Sequence, residues 1–516
     1  MPESEKNNMP PKKRLKIIPV LFIAGFFIIQ ILAYLLLFIR HFRFIDITIS
    51  SWLVISLIFA VFIVNTDEDS NIKISWVLLA LVFPVFGILL YIFFHLLPGQ
   101  RIVSRLIKRR KRIARPYNMQ NEDVLFNLEQ LDKRKKQTAD YLYKLGFPVF
   151  SNTEVKYFEL GENLFEDMFE DLEKAEDFIF MEFFILSPGQ ILDRVIEILS
   201  RKAKDGVRVK FLYDGTNTFF LPKKVIKRLE KAGVECRAYS PVNAILTTVH
   251  NNRDHRKILV IDNKIAYTGG VNLADEYANI YQKYGHWLDT GVRLEGEAVK
   301  SFTLMVIELW NLRDDNDTHP EYLKTSHSVK SDKLSFSIPF SENPHAKDWV
   351  GETVYIDIIC QAKDYVYIAS PYFTISERMA GALKMAAGMG VDVKLIFPHI
   401  GDHGGFPKMV ARSYYNELSK KGVKIYEYKP GFVHAKTVVS DNITSLVGTI
   451  NMDYRSFYLH HENAVLFYDE DLAGKIKEHW DRILGKCILV TQREYKKFNL
   501  PSRITGRVLR LFAPLM

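Results

Sequence analysis

Two stretches decide the reading: His255-Arg-Lys257-Ile-Leu-Val-Ile-Asp262, then Gly269-Gly270-Val-Asn272; and His434-Ala-Lys436-Thr-Val-Val-Ser-Asp441, then Gly448-Thr449-Ile-Asn451. Both follow one pattern, His-x-Lys-x4-Asp-x6-Gly-[Gly/Thr]-x-Asn. A lone His-x-Lys arises by chance in a long basic chain, but a second copy with every position matched does not. The apolar run between Lys and Asp reads as a buried strand. On a strand, alternate residues face the same way, so His255 shares a site with Lys257 and His434 with Lys436.

The repetition extends outward from these stretches. Asp177-Phe-Ile-Phe-Met-Glu-Phe-Phe184 corresponds to Asp364-Tyr-Val-Tyr-Ile-Ala-Ser-Pro371, and Gly206-Val-Arg-Val-Lys-Phe-Leu212 to Gly390-Val-Asp-Val-Lys-Leu-Ile396. Leu229-Glu-Lys-Ala-Gly-Val234 corresponds to Leu418-Ser-Lys-Lys-Gly-Val423. A period this long excludes a solenoid and predicts two similar α/β domains about a pseudo-twofold axis, sharing one cleft. The first is expected over 146–325 and the second over 334–516, joined through the polar segment Asp314 to Lys333.

Two imidazoles, two ammonium groups and two amides in one cleft suit a phosphoryl centre, where negative charge spreads over oxygens. One histidine attacks phosphorus and the other protonates the departing oxygen, through a phosphohistidine. Spacing alone leaves these roles interchangeable. The Asn272 and Asn451 amides are expected to bind phosphate oxygens. Asp289 and Glu462 each begin a matching apolar strand and are expected to orient the imidazoles. Asp262 and Asp441 belong to the candidate catalytic set, although a strand-end position suits fixing a turn. His286, His403, His460 and His461 have no duplicated counterpart and are expected at the surface or around the site. No HExxH or CxxC is present, so neither metal nor other cofactor is expected, and the scattered Cys236, Cys360 and Cys487 argue against disulfides.

The N-terminal region reads differently. Ile17 to Ile39, Ile47 to Val64 and Ile74 to Leu97 contain almost only apolar residues, predicting two or three transmembrane helices within 1–100. Residues 101–115 hold eight Lys and Arg and no acid, beginning a basic linker over 101–145. That asymmetry predicts a multi-pass protein of the cell membrane with its catalytic domains in the cytoplasm, and the stripe suits anionic lipid. Lys12, Lys13, Arg14 and Lys16 are basic as well, so either the N-terminus lies outside or one run is interfacial. The net charge of +9 would also suit nucleic acid.

These motifs resemble the phospholipase D superfamily, and within it the bacterial cardiolipin synthases, from about Lys73 onward. Asn252-Arg-Asp-His-Arg-Lys257 with Thr268-Gly-Gly-Val-Asn272 is similar to the family's first motif, and Gly448-Thr-Ile-Asn-Met-Asp-Tyr-Arg-Ser-Phe457 to its second. The segment with Trp76, Pro84 and Gly87 and the terminal Pro514-Leu-Met also look like the family's. Asp254, Leu288 and His460 depart from it, standing where Asn, Arg and Asn are usual. The resemblance implies duplicated phospholipase D-like domains, each a mixed sheet flanked by helices. It implies phosphatidyl transfer between two phosphatidylglycerols with release of glycerol, with His255 as nucleophile and His434 as acid and base. A phospholipase D-type hydrolase or a phosphatidylserine synthase-like transferase is the alternative. Related endonucleases often carry one motif and dimerise, so nucleic acid is not expected as a partner. A homo-oligomer is compatible with the sequence.

Overall fold

A computed structural model describes residues 42–95, 98–239, 252–312, 314, 318–324, 334–346 and 348–515. They fall into two units, one ending at residue 95 and the other beginning at 98.

The N-terminal unit holds helices Phe42–Val64, Ser70–Val82 and Pro84–His95. The apolar run Ile74 to Leu97, expected as one membrane helix, is broken in two. Proline at 84 cannot continue the preceding ladder and pushes the residue before it out of helical geometry; Phe83 has φ −130 and ψ 74. The pieces have 13 and 12 residues, about 20 Å each against an apolar core of about 30 Å. The run Ile47 to Val64 falls in the first helix, where the Ser56 hydroxyl turns inward to the Ala80 carbonyl at 2.9 Å. Among the described residues no helix is long and apolar enough to cross a membrane, which corrects the expected transmembrane helices. The run Ile17 to Ile39 and the lysines before it lie outside the described residues, as does most of the polar segment Asp314 to Lys333.

Among the described residues the second unit contains eighteen strands. They are β1 (Thr153–Phe158), β2 (Phe178–Phe183), β3 (Arg208–Asp214), β4 (Glu235–Tyr239), β5 (Arg253–Asp254), β6 (Lys257–Ile261), β7 (Ile265–Gly269), β8 (His286–Leu288) and β9 (Gly291–Gly296). Then come β10 (Phe336–Glu342), β11 (Tyr365–Ala369), β12 (Asp392–Pro398), β13 (Lys424–Tyr428), β14 (Gly431–Val433), β15 (Thr437–Ser440), β16 (Thr444–Gly448), β17 (His460–Tyr468) and β18 (Cys487–Leu489).

One sheet runs β1-β9-β7-β6-β2-β3-β4; the other runs β10-β17-β16-β15-β11-β12-β13, with β18 added at its edge. The order is the same in both. Parallel β2-β3-β4 and β11-β12-β13 are joined by helices, and the other pairs are antiparallel, so each sheet is mixed. The turns into β3 and β12 pass through Gly206 (φ 95) and Gly390 (φ 97), and those into β4 and β13 through Gly233 (φ 96) and Gly422 (φ 98). A side chain would strain this left-handed conformation.

Strand alternation then builds the core. In β2, Ile179 and Met181 face helix Gln190–Lys204, while Phe178 and Phe180 face a core common to both halves. That core joins Val260 and Val292 of the first sheet to Tyr367, Val439 and Val465 of the second. Two buried hydrogen bonds cross it, Thr290 Oγ1 to Thr437 Oγ1 at 3.0 Å and Asn463 Nδ2 to Thr268 Oγ1 at 2.7 Å. Two short strands also cross over: β5 runs parallel to β17, and β8 parallel to β14.

Candidate active site

Strand β6 begins at Lys257, two residues after His255, while His434 and Lys436 lie in the short link between β14 and β15. Lys257 Nζ donates to the His255 carbonyl at 2.5 Å. Lys436 Nζ lies 2.7 Å from His434 Nδ1 and 3.1 Å from Nε2. All four side chains are buried.

The crossing strands decide which acid meets which ring. Pairing of β5 with β17 brings the His255 amide to the His461 carbonyl at 2.9 Å, and that of β8 with β14 brings the His434 amide to the Leu288 carbonyl at 2.8 Å. Each imidazole therefore lands beside an acid from the opposite half. His255 Nδ1 is 2.8 Å from Glu462 Oε2, and His434 Nδ1 is 2.7 Å from Asp289 Oδ2. A carboxylate at Nδ1 holds the proton there and leaves the Nε2 lone pair for chemistry.

The small residues of the motif make room for these acids. A side chain on Gly270 would meet Asp289 Oδ1 at 1.9 Å, so only glycine lets that carboxylate approach. At the equivalent place Thr449 donates its hydroxyl to Glu462 Oε2 instead, and Ser456 Oγ donates to Oε1 at 2.7 Å.

Burial disfavours charge in this enclosure, taking protons from the basic groups and keeping one on the acid. It drives His255 well below its usual pKa, helped by the charges of Lys257, His460, Lys436 and His434. His434 falls to about 4, through burial and Lys436, with Asp289 opposing. Lys257 drops to about 7 and Lys436 to about 8, again chiefly by burial. Burial also raises Glu462. Groups of each half thus act on those of the other, so the two motifs share one electrostatic site. An entering anion would offset their mutual repulsion and draw protons back onto the rings.

Asp262 and Asp441 stand apart, at the far ends of β6 and β15. Asp262 accepts the backbone N–H groups of Glu176, Asp177 and Phe178 at 2.7–2.8 Å. Asp441 accepts those of Lys363, Asp364 and Tyr365 at 2.8–3.0 Å. Both are left-handed (φ 52 and 50), as are the asparagines after them. They clamp turns and touch neither imidazole, which corrects their inclusion among the reacting groups.

Asn272 uses its amide within the fold, accepting from the Ile185 N–H at 3.0 Å and donating to the Tyr277 hydroxyl at 2.7 Å. The Tyr277 ring packs edge-on against His434 at 5.2 Å. Asn451 keeps a buried Oδ1 with no hydrogen-bond partner among the described residues.

Phe184, 4.7 Å from the His255 ring, and Trp287, 5.5 Å from His434, line the site as well. Neither carries a motif signal, and only position beside a matched strand could have pointed to them. His460 and His461, expected at the surface or around the site, are both buried. The His460 ring lies 5.6 Å from that of His255. The ligand atoms of His255, His460 and Glu462 lie within 4.8 Å of one another, close enough for a metal ion. Their neighbours Lys257, Arg253 and Arg455 are cationic, which suits an anion better.

Comparison with known proteins finds relatives over most of the chain. A family described as "Cardiolipin synthase, PLD-like domain" matches residues 168–284 and 355–484, and "Phospholipase_D-nuclease N-terminal" matches 51–94. A Streptococcus mutans protein described as uncharacterized is 42% identical over 88% of this chain and 99% of its own. A cardiolipin synthase of Clostridium perfringens is 34% identical over 86% of this chain and 94% of its own, and one of Listeria welshimeri 31% over 90% and 98%. Among solved structures, the phosphatidylserine synthase of Haemophilus influenzae shares the fold, with a TM-score of 0.55 at 15% identity over 70% of this chain and 93% of that one. On identity sustained across nearly the whole of both chains, the chain belongs to the cardiolipin synthase family of the phospholipase D superfamily.

Proposed function

We propose that this phosphatidyltransferase joins two phosphatidylglycerol molecules into one cardiolipin and one glycerol, by two displacements at a single phosphorus. The observation that carries the reading is the exchange of acids, Glu462 beside His255 and Asp289 beside His434, as expected of two imidazoles that work as one unit.

In the first displacement His255 Nε2 attacks phosphorus and the bond to the glycerol oxygen breaks. His434, protonated once the anionic diester is bound, gives that oxygen its proton and glycerol leaves. In the second, neutral His434 takes the proton from a hydroxyl of the second phosphatidylglycerol as its oxygen attacks. The phosphorus–nitrogen bond breaks, returning His255 and yielding cardiolipin. His255 suits the nucleophile because burial and four neighbouring charges remove its proton, whereas Asp289 works to retain one on His434. Lys257 and Lys436 hold the non-bridging oxygens, and Asn272 supports His434 through Tyr277.

Both substrates are bilayer lipids, so the protein works at a membrane surface. The exposed Leu53, Leu57, Ile58 and Val61 and the basic helix Pro98–Ala114 suit contact with anionic lipid.

The test is product analysis with purified protein and phosphatidylglycerol as sole lipid. Cardiolipin and glycerol in equal amounts are expected. Phosphatidic acid as the main product would make water the acceptor and contradict the reading.

A further inference from the structure

The register of β5 on β17 pairs Arg253 with His460 and Asp254 with His461. Strand alternation then puts Arg253 and His255 on one face with His460 and Glu462. On the other face Asp254 N reaches Asp214 Oδ2 at 3.0 Å and His461 Nε2 meets the Tyr239 hydroxyl at 2.8 Å. On that face Asp254 Oδ2 still lacks a hydrogen-bond partner among the described residues; on the first face the groups without one are basic, Arg253 Nη1 and both ring nitrogens of His460.

His460 is 7% exposed, yet neither ring nitrogen has a hydrogen-bond partner among the described residues. Glu462 Oε1 is 3.8 Å from its Nδ1, and that carboxylate already serves His255, Thr449 and Ser456. The Arg253 side chain is 12% exposed, with Asp214 Oδ1 3.8 Å from Nη1. That Nη1 makes no hydrogen bond among the described residues, while Asp214 Oδ1 accepts from the Thr216 N–H and hydroxyl. Leaving such groups unpaired is costly. Arg455, exposed at the start of the helical turn Arg455–Leu459 that leads into β17, adds its positive field to both.

We propose that Arg253, His460 and Arg455 form a second anion subsite, which holds the phosphodiester already carried by the acceptor lipid. This rests on the reading that the acceptor is itself a phosphatidylglycerol. A three-carbon glycerol separates the two phosphates of the product, so the second must bind within one glycerol of the phosphorus on His255. The 5.6 Å between the His255 and His460 rings is a separation of that scale. Water and free glycerol carry no second phosphate and gain nothing from the subsite. It therefore selects the acceptor without touching the first displacement.

Two reactions of the same phosphatidyl-enzyme separate the roles. The full chain is assayed on phosphatidylglycerol vesicles for cardiolipin formation and for incorporation of labelled glycerol into phosphatidylglycerol. Arg253→Gln is expected to lower cardiolipin formation about tenfold or more, mainly by raising the half-saturating surface concentration of phosphatidylglycerol. Glycerol incorporation should fall far less, and Arg253→Lys should recover part of the loss. His460→Gln should show the same split between acceptors. A parallel fall of both reactions in both variants, or no fall in either, overturns the proposal. If the unaltered protein performs neither reaction, the proposed function itself fails, which is a separate result.

Discussion

Glu462 shows how much one buried side chain is asked to do: it meets His255 Nδ1 at 2.8 Å while the Thr449 and Ser456 hydroxyls donate to it. Fixing the carboxylate fixes the ring, and fixing the ring aims Nε2. Glu462→Gln or Asp289→Asn should therefore lower kcat by about 10²-fold or more while leaving lipid binding little changed. Steady-state kinetics on vesicles check this; a kcat within about twofold of the parent would contradict it. The same enclosure sets proton occupancy. His434 should titrate at about 4 in the ligand-free protein, below its usual 6.5, so it is neutral through the physiological range. Inorganic phosphate at the site should raise that midpoint, because an anion favours the imidazolium. Histidine-resolved NMR, assigned with His434→Gln, measures both; a midpoint near 6.5 insensitive to phosphate would contradict the account. At this scale the sequence named the acids by position beside matched strands. It could not say that each serves the opposite half, because spacing along a chain does not report which segment crosses over. His460 has no duplicated partner, the signal by which the other residues are recognised, so the sequence places it only at the surface or around the site, as a departure from the family's usual Asn.

At the scale of elements, the left-handed Asp-Asn loops at 262–263 and 441–442 staple one strand end to the start of the neighbouring strand. Asp262→Ala would leave three backbone N–H groups without their acceptor and should cost about 2–4 kcal/mol of stability. Denaturant unfolding measures the loss, and kcat of the folded fraction should hardly change. A collapse of kcat with unaltered stability would return this residue to the chemistry. The long strands were legible because buried β-branched runs recur in both halves. Strands β5, β8 and β14 were not, since two or three residues carry no periodicity. Nor did hydropathy register the break at Pro84, because an apolar average is blind to the missing N–H and fixed φ of one proline.

For the whole molecule, duplication supplies two half-sites and the common core makes them one. Val260 and Val292 pack in the same cluster as Val439 and Val465, so neither half can bury its sheet face without the other. The matched motifs made this pairing legible as fold class. The shared core and crossed strands belong to tertiary packing, which no local pattern encodes. In the proposed reaction, two imidazoles act in turn on one phosphorus. Phosphatidylglycerol labelled in its phosphate, an alkaline quench that preserves phosphorus–nitrogen bonds, and peptide mass spectrometry test it most directly. A phosphatidyl group on His255, absent from His255→Ala, is the expected result. Label on neither motif histidine, with cardiolipin still forming, would contradict it.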